Sequence, residues 1–200
     1  MAIYSQYGIL AFASPGDKAW TAIDCPKESH KDIYSYNGQF YAISCNGITI
    51  DFMPPPYTIK PWEMFYLVEM SGDLHLVVRL YEKDEDAPEG VFRCKAAYFE
   101  VYKLDFHSKK WIELNDLGDH AVFVGTNTSF AISTSGNPGL KGNSIYFTDD
   151  TTECYISGDG GGGRDMGIFD FQTKACMHFC SGGDILSSLC PPLFFLPSLK

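Results

Sequence analysis

Apolar and polar residues alternate along most of this chain, and this period of two predicts β-strands with one buried face. Two alternating runs, 32–36 and 39–43, flank Asn37-Gly38. This dipeptide favours the type I′ turn of a tight hairpin because both residues accept a positive φ. Asn46-Gly47 repeats the pattern, and Ser71-Gly72-Asp73 predicts a further tight turn. No segment of ten residues or more has a convincing helical period, so the pattern predicts an all-β protein.

A larger unit is repeated along the chain: a strand, a polar turn and a second strand that opens with tryptophan. Trp20, Trp62 and Trp111 mark three copies, and a degenerate fourth covers residues 167–179. The tryptophans are separated by about 40 to 50 residues, which is the length of a propeller blade. We expect each ring to fill the gap between neighbouring sheets, because a packed aromatic side chain buries a large apolar area.

The repeats predict a single β-propeller-type domain. It covers residues 1–200, with blade units at about 7–24 (incomplete), 31–64, 65–116 and 120–180 and a C-terminal tail at 181–200. Propellers close four to eight blades of four strands, so about four antiparallel blades predict a partial or unclosed ring. Unpaired sheet edges invite self-association. The isolated chain is therefore expected to dimerise through its edges or to be poorly soluble.

Composition excludes several classes of partner. Hydrophobic residues make up 45% of the chain and charged residues 20%, as in a folded globular protein. The net charge of −10 and the scattered lysines and arginines disfavour binding to nucleic acid. Residues 1–14 lack the basic region of a signal peptide. No run approaches the ~18 apolar residues of a membrane span, so neither nucleic acid nor a membrane is predicted as a partner.

The number and spacing of the cysteines indicate the cellular compartment of the protein. The seven cysteines are odd in number and irregular in spacing, whereas a disulfide framework usually has an even number at ordered spacings. Reduced thiols are typical of intracellular proteins. The sequence therefore predicts a cytoplasmic or nuclear location.

One short segment has the composition of a metal site. Alternation along a strand places Cys176, His178 and Cys180 on one face, and these side chains are zinc ligands in many proteins. No second pair of ligands completes a coordination shell, and cysteine is frequently buried as a small apolar residue. We predict packing residues here and no metal.

Other candidate constellations are incomplete. Residues 158–164 are glycine-rich but lack the lysine and the hydroxyl residue of a phosphate-binding loop. Asp149, Asp150, Glu153 and Asp159 lack the spacing of a calcium loop, and a solvated acidic turn is favoured. The histidines at 30, 75, 107, 120 and 178 lie in different blade units without a repeated acidic partner, and each is interpreted as a surface or packing residue. No G-x-S-x-G nucleophile motif occurs. A pair of carboxylates that catalyses glycoside hydrolysis stays an open alternative, because the distance between two such groups depends on the fold.

Several of these strand and turn segments match a known family in its usual order. The chain resembles the plant F-box-associated family called domain of unknown function 295 over about residues 7–180, and its ending, 191–198, is similar to that of the family. The resemblance rests on residues 36–42, 65–74, 99–105 running to Trp111, 117–125, 129–133, 142–150 and 167–170.

This resemblance implies a kelch-like β-propeller that, in many relatives, recruits substrates as part of an F-box subunit of a ubiquitin ligase. Other relatives bind a regulatory kinase. Family members commonly carry a helical F-box first, whereas the blade pattern predicts that this chain begins inside a blade. The matched motifs are strand and turn residues, so no catalytic residue is carried over.

We therefore expect a non-enzymatic protein–protein interaction module that resembles the substrate-recognition propeller of plant F-box proteins, here without an F-box. No catalytic, cofactor-binding or metal-binding residue is predicted, and no cofactor. Its expected partner is a protein, either a substrate for ubiquitination or a regulatory kinase. Two alternatives stay open: a propeller that binds a small ligand or sugar or acts as an enzyme, and a truncated, non-functional family member.

Overall fold

The computed structural model describes residues 2–4, 10–23, 30–44, 47–48, 63–85, 94–150, 165–179 and 193–194. Within these ranges the chain forms fifteen β-strands and one 3₁₀ turn at Thr134–Gly136, and no described residue is α-helical. The all-β class is therefore confirmed. None of the described residues belongs to a helix that is long and apolar enough to cross a bilayer.

The first two sheets have three strands each, and their strands follow chain order. The first sheet contains β1 (Ala2–Tyr4), β2 (Leu10–Phe12) and β3 (Thr21–Ala22). The second contains β4 (His30–Tyr36), β5 (Gln39–Ser44) and β6 (Gly47–Ile48). All neighbouring strands in both sheets are antiparallel, as the predicted hairpins require.

The third sheet has four strands in the order β10-β9-β8-β7, which is a simple meander. Its strands are β7 (Met64–Met70), β8 (Asp73–Lys83), β9 (Cys94–Asp105) and β10 (Lys110–Leu114). The fourth sheet has five strands in the order β12-β11-β13-β14-β15. They are β11 (His120–Val124), β12 (Phe130–Ser133), β13 (Ser144–Phe147), β14 (Gly167–Asp170) and β15 (Ala175–His178).

The fourth sheet departs from the predicted antiparallel meander in one pair of strands. β11 and β13 run parallel, with Ala121 opposite Ser144 and Val124 opposite Phe147. β12 returns antiparallel on the other side of β11, so the chain leaves β12 near the start of β11 and can begin β13 there. The Thr134 N–H donates to the carbonyl of Asp119 at 2.7 Å and holds the crossing connection at that end.

Two predicted hairpin turns are confirmed. Asn37 and Gly38 have φ values of 48° and 75°, and they join β4 to β5. Ser71 and Gly72 have φ values of 54° and 79°, and they join β7 to β8. Positive φ at both central positions is the signature of a type I′ turn. Asn46, in the third predicted turn, lies outside the described residues.

The chain divides into two compact units. The first unit comprises residues 1–78 and 101–113, and the second comprises 79–100 and 114–200. The core of the first unit contains the fully buried side chains of Ile43, Phe65, Leu67, Leu74 and Leu76, and that of the second contains Phe99, Ile145, Phe147 and Phe169. The single-domain assignment and the blade boundaries stay predictions.

The tryptophan prediction is wrong for one residue. Trp20 is 43% exposed and does not fill an interior gap. Trp20 lies directly before β3, and this strand is only two residues long, so little sheet surface is present to cover the ring. Trp111 is half-buried on β10, and Trp62 lies outside the described residues.

Candidate functional site

β8 places one arginine, Arg79, in the core of the second unit, where its side chain is fully buried. Nη1 donates a hydrogen bond to the carbonyl of Thr148 at 2.8 Å and lies 3.1 Å from Oδ1 of Asp150. Nη2 donates to Oδ2 of Asp165 at 2.7 Å and to the carbonyl of Asp165 at 3.1 Å. The guanidinium thus faces two carboxylates, and we call Arg79, Asp150 and Asp165 the Arg79 cluster.

Further groups of the second unit complete the surroundings of the Arg79 cluster. The Tyr81 hydroxyl donates to Oδ1 of Asp150 at 2.6 Å, and the Ala96 N–H donates to Oδ2 of Asp165 at 2.8 Å. Three aromatic rings lie about the guanidinium carbon, those of Tyr81, Phe99 and Phe147, with centroids at 5.0, 5.8 and 4.8 Å. Buried charges need pairing of this kind. The cluster therefore holds strands and loop ends of this unit together.

His178 of β15 joins the cluster, since its Nδ1 lies 3.3 Å from Oδ1 of Asp165. Burial alone would raise the pKa of Asp165. The hydrogen bond from His178, the charge of Arg79 and the Ala96 N–H outweigh burial and hold that pKa below its usual value. Asp165 is therefore ionised at neutral pH, as its pairing with Arg79 requires.

The predicted solvated acidic turn at Asp149 and Asp150 is wrong. Both residues are buried, with exposures of 3% and 5%. The reason is the cation from β8, because Arg79 and Tyr81 both bind the carboxylate of Asp150 and offset its loss of hydration. Glu153 and Asp159, the other two residues of the predicted turn, lie outside the described residues, as does the glycine-rich segment 158–164.

The candidate ligands on β15 share one face, as alternation predicted. Cys176 and His178 are half-buried, whereas Ala175 and Met177 between them are exposed. The Cys176 thiol lies 3.6 Å from the carbonyl of Ala97, and burial raises the pKa of this thiol to about 12. Cys180 lies outside the described residues. Among the residues that the structure describes, no group of three or more metal-ligating side chains is found. That no metal binds stays a prediction.

The histidines do not converge on one site in the described structure. In the first unit His30 and His75 are buried and His107 is exposed in the β9–β10 turn. In the second unit, Nδ1 of His120 lies 3.2 Å from Oδ1 of Asp119, as His178 lies near Asp165. Each of these two histidines thus has an acidic partner that the sequence spacing did not reveal.

Three hairpin turns of the first unit meet at Tyr36. Its hydroxyl donates to the carbonyl of Gly72 in the β7–β8 turn at 2.7 Å. Its ring stacks on Phe106 of the β9–β10 turn, with centroids 5.7 Å apart and planes 3° apart. Tyr41 packs edge-on against both rings, at 6.1 and 5.9 Å. We call the three turns, 37–38, 71–72 and 106–109, the turn face.

The β9–β10 turn is held by its own side chains. Oδ1 of Asp105 accepts the N–H groups of His107 and Ser108 at 2.9 and 3.3 Å, and Oδ2 accepts the Ser108 hydroxyl at 2.6 Å. These bonds, that of the Ser108 hydroxyl first, hold the pKa of Asp105 below its usual value. Phe106 is nevertheless 40% exposed. The turn face therefore presents an aromatic ring on a fixed backbone, an arrangement suited to binding and not to covalent chemistry.

Comparison with known proteins places the chain in a family. The model of the KIB1-4 beta-propeller family matches residues 1–170. The chain belongs to this family. The match confirms the resemblance stated from the sequence and, with the all-strand structure, the propeller-type fold class. No solved structure matches the chain.

Similar proteins of the KIB1-4 propeller family include three from Arabidopsis thaliana. F-box protein SKIP23 is 28% identical over 189 residues, which cover 83% of this chain and 46% of the relative. F-box protein At2g26160 is 30% identical over 161 residues, which cover 70% of this chain and 45% of the relative. Putative F-box protein At1g65770 is 32% identical over 162 residues, which cover 74% of this chain and 44% of the relative. The chain thus spans a little under half the length of these relatives.

Sequence reasoning missed Arg79 and Phe106 of this KIB1-4 propeller. A signal for Arg79 is present, since a cation interrupts an otherwise apolar run between Leu76 and Leu80, and a buried cation requires acidic partners. Phe106 lies directly after a strand in a polar turn. Nothing in the sequence indicates that this turn meets two others, because that contact is tertiary.

Proposed function

We propose that this chain is a non-enzymatic protein–protein interaction module that serves as the substrate-recognition propeller of an F-box type protein. The observation that carries the proposal is the family match over residues 1–170 together with relatives named F-box proteins. Propellers present the loops and turns of their blades as binding surfaces. The bound protein is a candidate for ubiquitination, and the module acts in the cytoplasm or nucleus.

The chemistry of the described sites supports a binding role over a catalytic one. The Arg79 cluster directs its charged groups at one another and at backbone carbonyls. Burial raises the pKa of Cys176 to about 12, so its thiol is a poor nucleophile at neutral pH. The turn face, by contrast, exposes an aromatic side chain on a rigid support. Exposed aromatic residues on rigid elements are typical of binding surfaces.

Proximity labelling in plant cells tests the proposal. The tagged chain should label a reproducible set of proteins, and depletion of the chain should change the half-life of at least one of them. The test variant replaces Phe106 with serine, and the matched control replaces Phe12, which is equally exposed on the first sheet. No labelled protein above background, together with turnover of a small molecule by the purified chain, would overturn the proposal.

A thermal-shift screen addresses the small-ligand alternative. A ligand present at 100 times its dissociation constant stabilises a one-site protein by about 2.7 kcal/mol. We expect no such shift with sugars, nucleotides or divalent metal ions. A reproducible shift with one chemical class would favour a ligand-binding or enzymatic propeller over an interaction module.

A further inference from the structure

The turn face and the adjoining first residue of β10, Lys110, together carry more cations than carboxylates. Lys109 and Lys110 follow Phe106 and are exposed, and neither forms an ion pair within the described part of the chain. Of the nearby carboxylates, Asp73 is paired with Lys103. Asp105 accepts hydrogen bonds from its own turn and stays ionised, so its charge offsets one of the two lysines and leaves the other as the local surplus. This local surplus of cations contrasts with the net charge of −10 for the whole chain.

We propose that the turn face binds an acidic segment of a protein partner. Phe106 packs against an apolar side chain of that segment, and Lys109 and Lys110 face its carboxylates. The inference rests on the proposed function, because it names the class of partner that such a module takes. It goes further in assigning the surface and the chemistry that recognise the partner.

The geometry favours such binding for two physical reasons. Tyr36 fixes the turn face by bonding to Gly72 and stacking on Phe106, and a surface that is already ordered loses little entropy on binding. An aromatic anchor with charges at its rim is also the usual anatomy of an interface, in which the apolar contact supplies affinity and the charges supply orientation and specificity.

The acidic partner is a protein segment and not a nucleic acid. A nucleic acid is bound through many cation–phosphate contacts, because each neutralised phosphate adds to the affinity by releasing counterions. Two adjacent lysines on a chain of net charge −10 do not offer such a stripe. A peptide needs only a few carboxylates beside one apolar residue, which matches what the turn face presents.

Fluorescence anisotropy with defined peptides tests the proposal on the full chain. The probe is a labelled glutamate-rich peptide with one central leucine. Its comparators are the same peptide with lysine for glutamate and an all-glutamate peptide without leucine. We expect binding of the first peptide, none of the lysine peptide, and weaker binding without leucine. Raising the salt from 50 to 200 mM should weaken the complex.

Variants locate the binding surface. Lys109→Glu with Lys110→Glu should weaken binding at least about tenfold, equivalent to ~1.4 kcal/mol. Lys18→Glu with Lys83→Glu changes the net charge equally at exposed lysines outside the turn face and should leave affinity within about twofold. Circular dichroism confirms that each variant is folded.

The apolar anchor is tested separately. Phe106→Ser should weaken binding at least about tenfold, and Phe12→Ser, at an equally exposed ring, should not. Because Phe106→Ser also removes the stack on Tyr36, Phe106→Tyr serves as a second variant that keeps the ring and should retain binding.

Three results would overturn the inference: no binding of the acidic peptide, equal binding by the charge-reversed and control variants, or displacement of the peptide by an oligonucleotide at similar concentration. The last would assign the surface to nucleic acid. These failures are distinct from failure of the proposed function. Proximity labelling that is unchanged in the Lys109→Glu, Lys110→Glu variant would keep the interaction module and reject the turn face as its site.

Discussion

Replacement of Asp32 by asparagine is expected to stabilise the first unit at neutral and alkaline pH. Asp32 lies on β4 of the second sheet, and its Oδ2 accepts the Leu67 N–H of β7 in the third sheet at 2.6 Å. Oδ1 accepts the N–H of Ile33 at 2.7 Å. Burial raises the pKa of this carboxyl from 3.8 to about 7, against the effect of both hydrogen bonds. The folded chain thus keeps a proton that the unfolded chain has already lost.

The direction of the pH effect follows from the protons bound by each state. Between pH 3.8 and about 7 the unfolded carboxyl is ionised and the folded one is protonated. The free energy of unfolding therefore falls as the pH rises through this window and stays at its lower value above pH 7. At ~1.36 kcal/mol for each pH unit, the three-unit window gives a ceiling of about 4 kcal/mol. Asp32 is only half-buried, so screening by solvent reduces this free-energy difference. We expect stability to change by about 2 kcal/mol.

Asparagine keeps an oxygen that can accept the Leu67 N–H and has no charge to desolvate. Its NH₂ group cannot accept the Ile33 N–H, and the loss of that part-buried hydrogen bond offsets part of the gain. The wild-type chain should lose about 2 kcal/mol of stability between pH 4.5 and 8, and Asp32→Asn should lose correspondingly less. Urea unfolding across this pH range measures the difference, and hydrogen exchange of the Leu67 amide provides a local measurement. Glu113→Gln, at an exposed residue of the same unit, is the control. Parallel pH curves for wild type and Asp32→Asn would refute the reasoning.

Three further predictions concern the packing and the ion pairs of the second unit. Arg79→Met should destabilise the chain by about 3–5 kcal/mol in urea unfolding, because it leaves buried carboxylates without their cation; a loss under 1 kcal/mol would contradict the cluster's role. Gly167→Ala should cost about 1–3 kcal/mol, since its Cβ would overlap the carbonyl of the neighbouring strand, whereas Gly136→Ala, which meets open space, should be neutral. Lys141→Met should raise the pKa of Asp170, now about 2 because of the Lys141 hydrogen bond, towards its ordinary value in an NMR titration.

Local signals in the sequence were sufficient for the strands and the tight turns. Asn37-Gly38 and Ser71-Gly72 adopt the positive φ values that their residue types favour, because turn conformation depends on the residues within the turn. The alternation along β15 correctly placed Cys176 and His178 on one face. Such features require no knowledge of distant segments.

The candidate sites were less predictable because they are assembled from distant parts of the chain. Arg79 is separated in sequence from Asp150 by 71 residues and from Asp165 by 86. Without knowledge of this contact, the sequence Asp149-Asp150 predicts a solvated turn. The parallel pairing of β11 and β13 is likewise invisible, since their alternation is the same in either direction. Phe106 gains its role only because Tyr36 brings a second turn against it.

Stability alone does not explain why an arginine occupies the core of the second unit. Replacing a buried ion network by apolar side chains of similar volume is often neutral or stabilising. Arg79, however, bonds to the carbonyls of Thr148 and Asp165 as well as to two carboxylates. These hydrogen bonds are directional, so they fix the backbone at two points that are separated in sequence and lie next to β13 and β14. An apolar residue at position 79 would fill the same space without fixing either point, and we therefore infer that the network specifies the placement of these loop ends more than it adds to the stability of the fold.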